Sequence, residues 1–331
     1  MDRLKVAILG ATGIVGKELI RILEKHPYFA LDALYASRHS AGNSLQVDKD
    51  GLSMEIREAD AEEINRRHYD YIFSAVSEQS ATTLERELRG MGNRIVTNAS
   101  GNRMLPDVPI VVPEINFKEI SNLNKGYILA NGNCSTIGLV LGLAPVAEFG
   151  IKSVDVTTLQ AVSGAGYPGI PSLDILSNVV PFIQGEEEKI VAETHKILDS
   201  RNRTKFRLTA TCTRVPVVNG HLESVTVEFD SIVAFDEILD SFRLFKNKDL
   251  PSGLPTLPER PIILQDAKDR PQPRLDSGKP GKMDGMQVSI GRIRVTGNIL
   301  QFVLVVDNLV RGAAGSTLLN AEVAATLGGQ I

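Results

Sequence analysis

The sequence predicts an α/β protein in which a doubly wound parallel sheet is followed by an α+β domain built on a mixed sheet. Strand and helix patterns alternate over roughly the first 130 residues, and strands separated by helices form parallel sheets. From about Ser153 the pattern changes to β-branched alternation, which is typical of antiparallel strands. A glycine-rich turn directly after the first strand supports a nucleotide-binding role for the first domain.

The elements of the first domain follow from short apolar runs and from apolar residues at helical spacing. The predicted strands are Val6–Leu9, Leu31–Ala36, Tyr69–Val76 and Gly92–Thr97, and the predicted helices are Ile14–Leu23 and Ser80–Arg89. A further apolar run, Ile137–Phe149, predicts a buried helix that begins at Cys134. We expect residues 1–133 to form the nucleotide-binding domain and residues 313–331 to complete it. Residues 134–312 would form the second domain.

The second domain is predicted to be mainly antiparallel, with three helices between its strands. The predicted strands are Val154–Ala161, Phe206–Val218, Leu222–Phe229, Met286–Val295 and Leu300–Val306, and the predicted helices are Asp174–Ile183, Glu186–Leu198 and Ile232–Asp240. The stretch Pro251–Gly285 is rich in proline, glycine and charge, so we expect an irregular excursion there, at a subunit contact or a lid. The last helix, Ala313–Leu327, is predicted to be amphipathic and to pack back onto the nucleotide domain.

Composition excludes several classes of protein. The chain has 331 residues, a net charge of -4, and 43% hydrophobic and 23% charged residues, which favours a soluble protein and argues against nucleic acid as a partner. Its first strand begins too early for a signal peptide, and no apolar run is long enough to span a membrane. Two cysteines without framework spacing indicate a reducing cytoplasm, and five scattered histidines predict no metal site.

The first strand runs into Gly10-Ala-Thr12-Gly13-Ile14-Val15-Gly16, which opens the first helix. Glycines at this turn permit close approach of the backbone to a pyrophosphate, which then lies on the helix N-terminus. The spacing is G-x-x-G-x-x-G rather than the commoner G-x-G-x-x-G. Such turns also occur in folds without a cofactor. The motif predicts a Rossmann-like dinucleotide site mainly because it lies at the turn between the first strand and the first helix.

The end of the second strand distinguishes between the two nicotinamide cofactors. NAD enzymes usually present an acidic residue there, whereas this chain has Ser37, Arg38 and Ser40. A guanidinium and two hydroxyls suit a 2′-phosphate, so we predict NADP(H). The alternative is a solvated loop with a chance arginine.

The stretch Asn131-Gly-Asn133-Cys134-Ser-Thr136 places a cysteine at the mouth of a predicted helix. The positive end of the helix and its unpaired N–H groups favour the thiolate, and those groups can also bind an oxyanion. Free cysteines are more often inert core residues, and we assign that structural role to Cys212. Cys134 is predicted to be a nucleophile, which together with a nicotinamide site suggests thioester chemistry on an aldehyde or acyl substrate.

The thiol needs a proton shuttle, and His221 is the best candidate because it follows a glycine turn between two strands. His195 lies on a polar helix, where a solvated histidine is the simpler interpretation. Arg214, seven residues before His221, can clamp a substrate carboxylate, although a surface arginine is an equally simple interpretation. Gln160 precedes the flexible Gly164–Gly169 loop and can hydrogen-bond a substrate carbonyl or carboxyl.

Seven stretches in order resemble aspartate-semialdehyde dehydrogenase, in the branch typical of archaea and some fungi. They span essentially the whole chain: GATGIVG, NASGNRM, NGNCST, LQAVSGAGYPG, the EEEK helix start, RVPVVNGH and DNLVRGAAG. The resemblance implies a catalytic and dimerisation role for the second domain and assembly as a homodimer or homotetramer.

The resemblance also implies a role for each matched residue. Cys134 would be the nucleophile, His221 the acid/base, and Gln160 a residue that orients the substrate. Arg214 would hold the substrate α-carboxylate and Glu186 its amino group. Because Glu187 and Glu188 follow directly, either of them could take the place of Glu186 in this match. Arg103 and Lys189 would bind phosphate. The implied cofactor-binding residues are Gly10, Thr12, Gly13, Ile14, Val15, Gly16, Ser37, Arg38, Ser40, Ser163, Gly164 and Asn308.

The implied reaction is the reversible reductive dephosphorylation of L-aspartyl 4-phosphate to L-aspartate 4-semialdehyde with NADPH, a step toward lysine, threonine and methionine. Malonyl-CoA or succinyl-CoA reductase is the nearest alternative, because it shares the AVSGAGYPGIPSLD-like stretch; the lead-in to Cys134 and Arg103 favour the aspartyl enzyme. N-acetyl-glutamyl-phosphate reductase shares the chemistry but surrounds its cysteine differently. A catalytically silent NADP-binding sensor would need neither Cys134 nor His221.

Overall fold

Two sheets divide the molecule, which confirms the predicted fold class. The structure is a computed structural model that describes residues 3–123, 125–199, 206–246, 248–278 and 283–331. One sheet has seven strands and the other has six.

The seven-stranded sheet alternates with helices, as the doubly wound pattern predicts. In chain order its region contains β1 (Leu4–Leu9), α1 (Ile14–Leu23), β2 (Phe29–Ala36), β3 (Ser44–Gln46), β4 (Ser53–Glu58), α2 (Ala61–Arg66), β5 (Tyr71–Ser74), α3 (Glu78–Gly90), β6 (Arg94–Thr97), α4 (Pro113–Asn116) and β7 (Tyr127–Ala130). The strand order is β3-β4-β2-β1-β5-β6-β7, and every pair is parallel except β3–β4. The chain order reverses beside β1, and ligands of open α/β sheets bind at such a switch point.

The six-stranded sheet is mixed, as predicted, but less antiparallel than expected. Its region contains α5 (Cys134–Leu143), β8 (Ile151–Gln160), α6 (Ser172–Ile175), α7 (Glu186–Asp199), β9 (Arg207–Arg214), β10 (His221–Phe229), α8 (Phe235–Leu244), β11 (Ile262–Gln265), α9 (Pro273–Asp276), β12 (Val288–Thr296), β13 (Ile299–Val306) and α10 (Gly315–Leu327). The strand order is β11-β12-β13-β10-β8-β9, in which β8–β9 and β11–β12 are parallel pairs.

Several predicted elements were wrong in extent. The helix predicted over Asp174–Ile183 is only the single turn α6, because Val180 instead exchanges backbone hydrogen bonds with Arg214 of β9. The buried helix ends at Leu143 rather than Phe149, since Pro145 cannot continue an α-helix. The predicted excursion Pro251–Gly285 contains β11 and α9, while its residues 279–282 lie outside the described residues.

The last helix, α10, is buried on all sides from Gly315 to Ala325 rather than amphipathic. Leu318, Leu319 and Val323 share one apolar core with Val6 and Ile8 of β1. The helix therefore packs onto the nucleotide domain, and its small residues let neighbours approach from every direction.

The helix α5 lies unusually close to the second sheet. A side chain added at Gly138 would place its Cβ 2.8 Å from Val306 Cγ1, and one at Gly142 would meet the Phe302 ring at 3.0 Å. Both glycines thus permit an approach that a larger residue would block. Among the described helices, none is both long and apolar enough to cross a bilayer.

Candidate active site

Cys134 begins α5, and Asn133 caps the helix before it. The Asn133 side-chain oxygen accepts hydrogen bonds from the amides of Ser135 and Thr136, at 2.9 and 3.2 Å. This arrangement confirms the predicted cysteine at a helix mouth. The expectation that these same amides are free to bind an oxyanion was wrong for Ser135 and Thr136, because the cap already occupies them.

The structure brings Cys134 and His221 into direct contact, with Sγ and Nε2 3.1 Å apart. On the other side of the ring, the Ala161 amide donates to Nδ1 at 3.0 Å. A nitrogen that accepts from a backbone amide carries no proton, so the proton of the neutral ring is on Nε2. His221 therefore presents a hydrogen-bond donor to the sulfur. This differs from the predicted proton shuttle, because in this tautomer Nε2 cannot accept the thiol proton.

Pairing register sets three predicted residues in one row across neighbouring strands. Arg214 of β9 is opposite Gln160 of β8, and His221 of β10 lies one position beyond the Leu222–Leu159 pair, opposite Gln160. Because side chains alternate between faces, all three project from the same face of the sheet. That face is the one covered by α5.

Arg214 is buried, yet its guanidinium is only partly bonded. Nη1 donates to the carbonyl of Ala161 at 2.8 Å, while Nε has no partner among the described residues. Burial lowers its pKa from the usual value. The backbone passes close above, because a Cβ at Gly164 would lie 2.8 Å from Nη1. A partly bonded, buried guanidinium is suited to a carboxylate ligand.

The α7 helix supplies the carboxylates that surround Asn133. Glu186 accepts from Asn133 Nδ2 and from Gln160 Nε2, each at 2.9 Å, and Glu193 accepts from the Asn133 amide at 2.6 Å. Glu187 points instead to β9, where it accepts from the Cys212 amide. Of the acidic residues that open α7, Glu186 is therefore the one that reaches the residues around Cys134.

Both cations predicted to bind phosphate are paired with carboxylates. Arg103 donates to Glu193 at 2.9 Å and to the Asn98 carbonyl at 2.5 Å. Lys189 donates to Glu78 at 3.2 Å. Arg103 lines the cavity that contains Cys134, whereas Lys189 is not among the residues that line it.

Cys212, Thr158 and Glu223 form a second row across the same three strands. Each lies two residues along its strand from Arg214, Gln160 and His221, respectively, and so on the same face of the sheet. Glu223 is fully buried and neither carboxyl oxygen has a hydrogen-bond partner of good geometry among the described residues. Burial and the nearby Glu186 raise its pKa well above the usual value, although the Ser135 hydroxyl opposes the shift. Burial thus favours the neutral carboxylic acid form of Glu223, beneath the helix mouth. Burial likewise raises the pKa of Cys212 to about 12, which supports its structural role.

The charge state of the central pair differs from the expected resting thiolate. Burial, followed by Glu186, raises the pKa of Cys134 to about 12, against the lowering effects of the Ser135 amide, Arg103 and Arg214. Burial and Arg214 lower the pKa of His221 to about 3, so the ring is neutral at physiological pH. The thiolate must therefore be generated when the surrounding charges change.

Two cavities form a continuous groove, because both are lined by Gly13, Ala75, Val76 and Ser77. One, of about 590 Å³, runs from Gly10 and Thr12 to Ser37 and Arg38. The other, of about 460 Å³, leads from Gly13, Ile14 and Val15 to Cys134, Ser163, Gly164 and Asn308. Gly10 has φ +80°, and a Cβ there would lie 2.4 Å from the Ala75 carbonyl. Only glycine allows this backbone to face the groove so closely, which fits a dinucleotide.

Two predicted cofactor residues lie elsewhere. Ser40 is not among the residues that line either cavity, and Gly16 serves packing, since a Cβ there would lie 2.2 Å from the Gly10 carbonyl. Asn308 does line the groove, where it donates to Ser163 Oγ at 2.8 Å and accepts from the Gly220 amide at 2.8 Å.

Sequence reasoning missed several residues that build the site. Asn133 carries a recognisable cap signature immediately before the helix, and Glu193 follows Glu186 by two helical turns. Glu58, Asp60 and Glu62 line the Arg38 end of the groove, and no pattern in the sequence singled them out. Within the described part of the chain, no His, Cys, Asp and Glu side chains group as metal ligands.

Two family models match the chain, the semialdehyde dehydrogenase NAD binding domain over residues 5–123 and the semialdehyde dehydrogenase dimerisation domain over residues 143–311. The aspartate-semialdehyde dehydrogenase of Archaeoglobus fulgidus is 41% identical over 341 residues, with 97% of each chain covered. The crystal structure of aspartate-semialdehyde dehydrogenase from Candida albicans, solved with NADP, has a TM-score of 0.86 at 32% identity and covers 100% of both chains. The malonyl-CoA reductase (NADP) of Metallosphaera sedula is less similar, at 34% identity over 96% of each chain.

Proposed function

This chain belongs to the aspartate-semialdehyde dehydrogenases, and we propose on that basis that it catalyses the reversible reductive dephosphorylation of L-aspartyl 4-phosphate to L-aspartate 4-semialdehyde. NADP(H) is its cofactor and supplies or accepts the hydride. The observation that carries the residue assignments is the contact between His221 and Cys134, which lines the cofactor groove. The product serves lysine, threonine and methionine synthesis.

Each substrate group is assigned to a matching side chain. The unpaired Nε of Arg214 would hold the α-carboxylate, and Glu186 would hold the ammonium group. Gln160 lies between them and orients the substrate. Arg103 and Lys189 would bind the phosphate once they exchange their present carboxylate partners for it. The cofactor would lie along Gly10–Val15, with Ser37 and Arg38 at its 2′-phosphate and Ser163, Gly164 and Asn308 near the nicotinamide end.

The residues of the chain then act in sequence on the acyl group. Once substrate binds, the Cys134 thiol loses its proton to solvent, and the resulting thiolate attacks the acyl carbon. The C–O bond breaks, phosphate leaves with the bonding electrons, and a thioester remains on the enzyme. After reduction, the oxyanion of the thiohemiacetal re-forms a carbonyl as the C–S bond breaks, and Cys134 leaves as a thiolate. The Nε2–H group of His221 donates a hydrogen bond to the sulfur when Cys134 is a thiolate, both before attack and after the C–S bond breaks. Between these two stages the same group donates to the substrate oxyanion.

The Glu186 carboxylate links substrate binding to thiol activation. Its negative charge disfavours the thiolate while the carboxylate has no cationic ligand. A substrate ammonium group bound there compensates that charge, so the pKa of Cys134 falls when the substrate enters. Activation of the nucleophile would then wait for the correct ligand.

The match to the dimerisation domain supports assembly of two copies of this chain. We propose a homodimer or homotetramer that works in the cytoplasm on small-molecule substrates. Sedimentation of the purified protein over a range of concentrations would distinguish the two assemblies.

The function is tested with two assays of NADP reduction. One supplies L-aspartate 4-semialdehyde with phosphate or arsenate, and the other supplies malonate semialdehyde with CoA. We expect activity with the first pair of substrates only. Cys134→Ala is expected to abolish turnover while NADP still binds, because the thioester cannot form. Activity only with CoA and malonate semialdehyde would identify a CoA reductase and overturn the substrate assignment. Normal turnover of Cys134→Ala would overturn the thioester route.

A further inference from the structure

We propose that Glu78 competes with the substrate phosphate for Lys189. The Glu78 carboxylate pairs with Lys189 until a phosphate displaces it. The inference rests on the proposed function and adds to that reaction a residue that sets phosphate affinity. Glu78 is the first residue of α3, in the nucleotide domain, whereas Lys189 lies on α7 of the second domain.

The contacts of Glu78 resemble those that a phosphate oxygen would make. Its Oε2 accepts from Lys189 Nζ at 3.2 Å and from Ser100 Oγ at 2.6 Å. The Ser100 hydroxyl, then Lys189, with a smaller effect from Arg103, lowers the pKa of Glu78, so the group is anionic. One anion therefore holds a hydroxyl and a lysine beside the arginine that lines the Cys134 cavity.

Lys189 shares a helix face with two carboxylates of the site, although it does not line the Cys134 cavity itself. Lys189 lies one turn after Glu186 and one turn before Glu193, and both of those carboxylates bond Asn133, the cap of the nucleophile's helix. Residues three and four apart lie on the same face of a helix. Lys189 is thus on the face of α7 that borders the site.

The exposure of the pair allows the exchange. The Glu78 side chain is 61% exposed and that of Lys189 is 34% exposed, so Glu78 can turn into solvent without unfolding its helix. An exposed ion pair contributes little to stability, and a phosphate dianion offers Lys189 more charge and more acceptor oxygens. When phosphate leaves, Glu78 returns to Lys189 and opposes its rebinding.

The experiment uses the intact enzyme and inorganic phosphate as the probe. The KM for phosphate is measured in semialdehyde oxidation, and phosphate protection of Cys134 against iodoacetamide gives its Kd without turnover. For Glu78→Gln we expect the KM and Kd for phosphate to fall about two- to fivefold, the factor that corresponds to losing one exposed ion pair. Glu78→Ala is expected to shift both constants in the same direction.

Asp107→Asn is the matched control, because Asp107 pairs with Arg89 at the other end of α3, away from the groove. It is expected to leave both constants unchanged. A phosphate KM and Kd that are unchanged or raised in both Glu78 variants would overturn the proposal. Absence of phosphate-dependent turnover in the unmodified enzyme would instead reject the proposed function, while the protection assay would still report on Glu78.

Discussion

The amide of Ala161 and the ring of His221 are joined by a 3.0 Å hydrogen bond in which the backbone donates to Nδ1. The bond assigns the proton of the neutral ring to Nε2, which is 3.1 Å from the Cys134 sulfur. A thiolate–imidazolium pair would require a proton on Nδ1, where the Ala161 N–H already points. The activated state is therefore a thiolate that accepts from a neutral histidine.

The first prediction concerns this tautomer. In protein labelled with ¹⁵N-histidine, we expect His221 to show the neutral Nε2–H pattern at every pH from 6 to 9, since burial and Arg214 lower its pKa to about 3. The signal is assigned by its loss in His221→Asn. An Nδ1–H or imidazolium pattern for His221 in this range would contradict the donor role.

The second prediction concerns Glu186 and the thiol. Because the carboxylate disfavours the thiolate, Glu186→Gln is expected to lower the pKa of Cys134 in the ligand-free enzyme, although it weakens substrate binding. The rate of alkylation by iodoacetamide against pH measures this pKa. Glu188→Gln serves as the control, since the carboxylate that raises the pKa of Cys134 is Glu186 and not Glu188. An unchanged or higher thiol pKa in Glu186→Gln would exclude coupling through this charge.

The third prediction concerns cofactor choice. Arg38 lines the groove at the end of β2, so Arg38→Ala is expected to raise the KM for NADPH about 10- to 100-fold and to change that for NADH little. Ser40→Ala is a suitable comparison, because Ser40 does not line the cavity and should affect neither cofactor strongly. Equal losses with NADPH and NADH in Arg38→Ala would remove the argument for a 2′-phosphate site.

The fourth prediction concerns pH and stability. Burial raises the pKa of Glu223 well above its usual value, so the native state favours the neutral carboxyl, whereas a glutamate in the unfolded chain ionises near pH 4.3. As the pH rises above that value, ionisation of Glu223 stabilises the unfolded state but not the native state, so the free energy of unfolding falls. The Glu223→Gln side chain cannot ionise in either state. We therefore expect the Tm of the variant minus that of the unmodified enzyme to become larger as the pH is raised from 5.5 to 7.5, by about 2 °C or more.

Glu228→Gln on the same strand is the control for Glu223→Gln. Lys152 and Ser153 lower the pKa of Glu228, so the ionised form is the favoured one in the native state and its removal should give no such gain. Thermal unfolding of both variants across this pH range decides the matter. A Tm difference for Glu223→Gln that does not depend on pH would mean that the carboxyl ionises normally in the native state.

The local parts of this site were predictable from sequence because their signals are local. The glycine turn at Gly10, the cysteine at a helix mouth and His221 after a glycine turn each depend on neighbours in the chain. The row formed by Arg214, Gln160 and His221 depends on strand register, which single-strand patterns do not fix. The resemblance to a family, rather than the residues alone, linked these three.

Contacts between distant segments lay beyond sequence reasoning. The Glu78–Lys189 pair joins helices of different domains, and the Ala161 amide that sets the histidine tautomer has no side-chain signature at all. The helix predicted over Asp174–Ile183 failed for a related reason, since tertiary pairing of Val180 with β9 overrode local helical spacing. The thiol pKa depends on burial, which composition does not reveal.

The burial of α10 against β1 has a consequence for biosynthesis. Domains generally fold as units during translation, with the N-terminal one first. Here the first domain's core includes Leu318, Leu319 and Val323, which the ribosome delivers about 190 residues after the end of β7. The apolar core of the first domain is therefore complete only after the whole second domain has been synthesised.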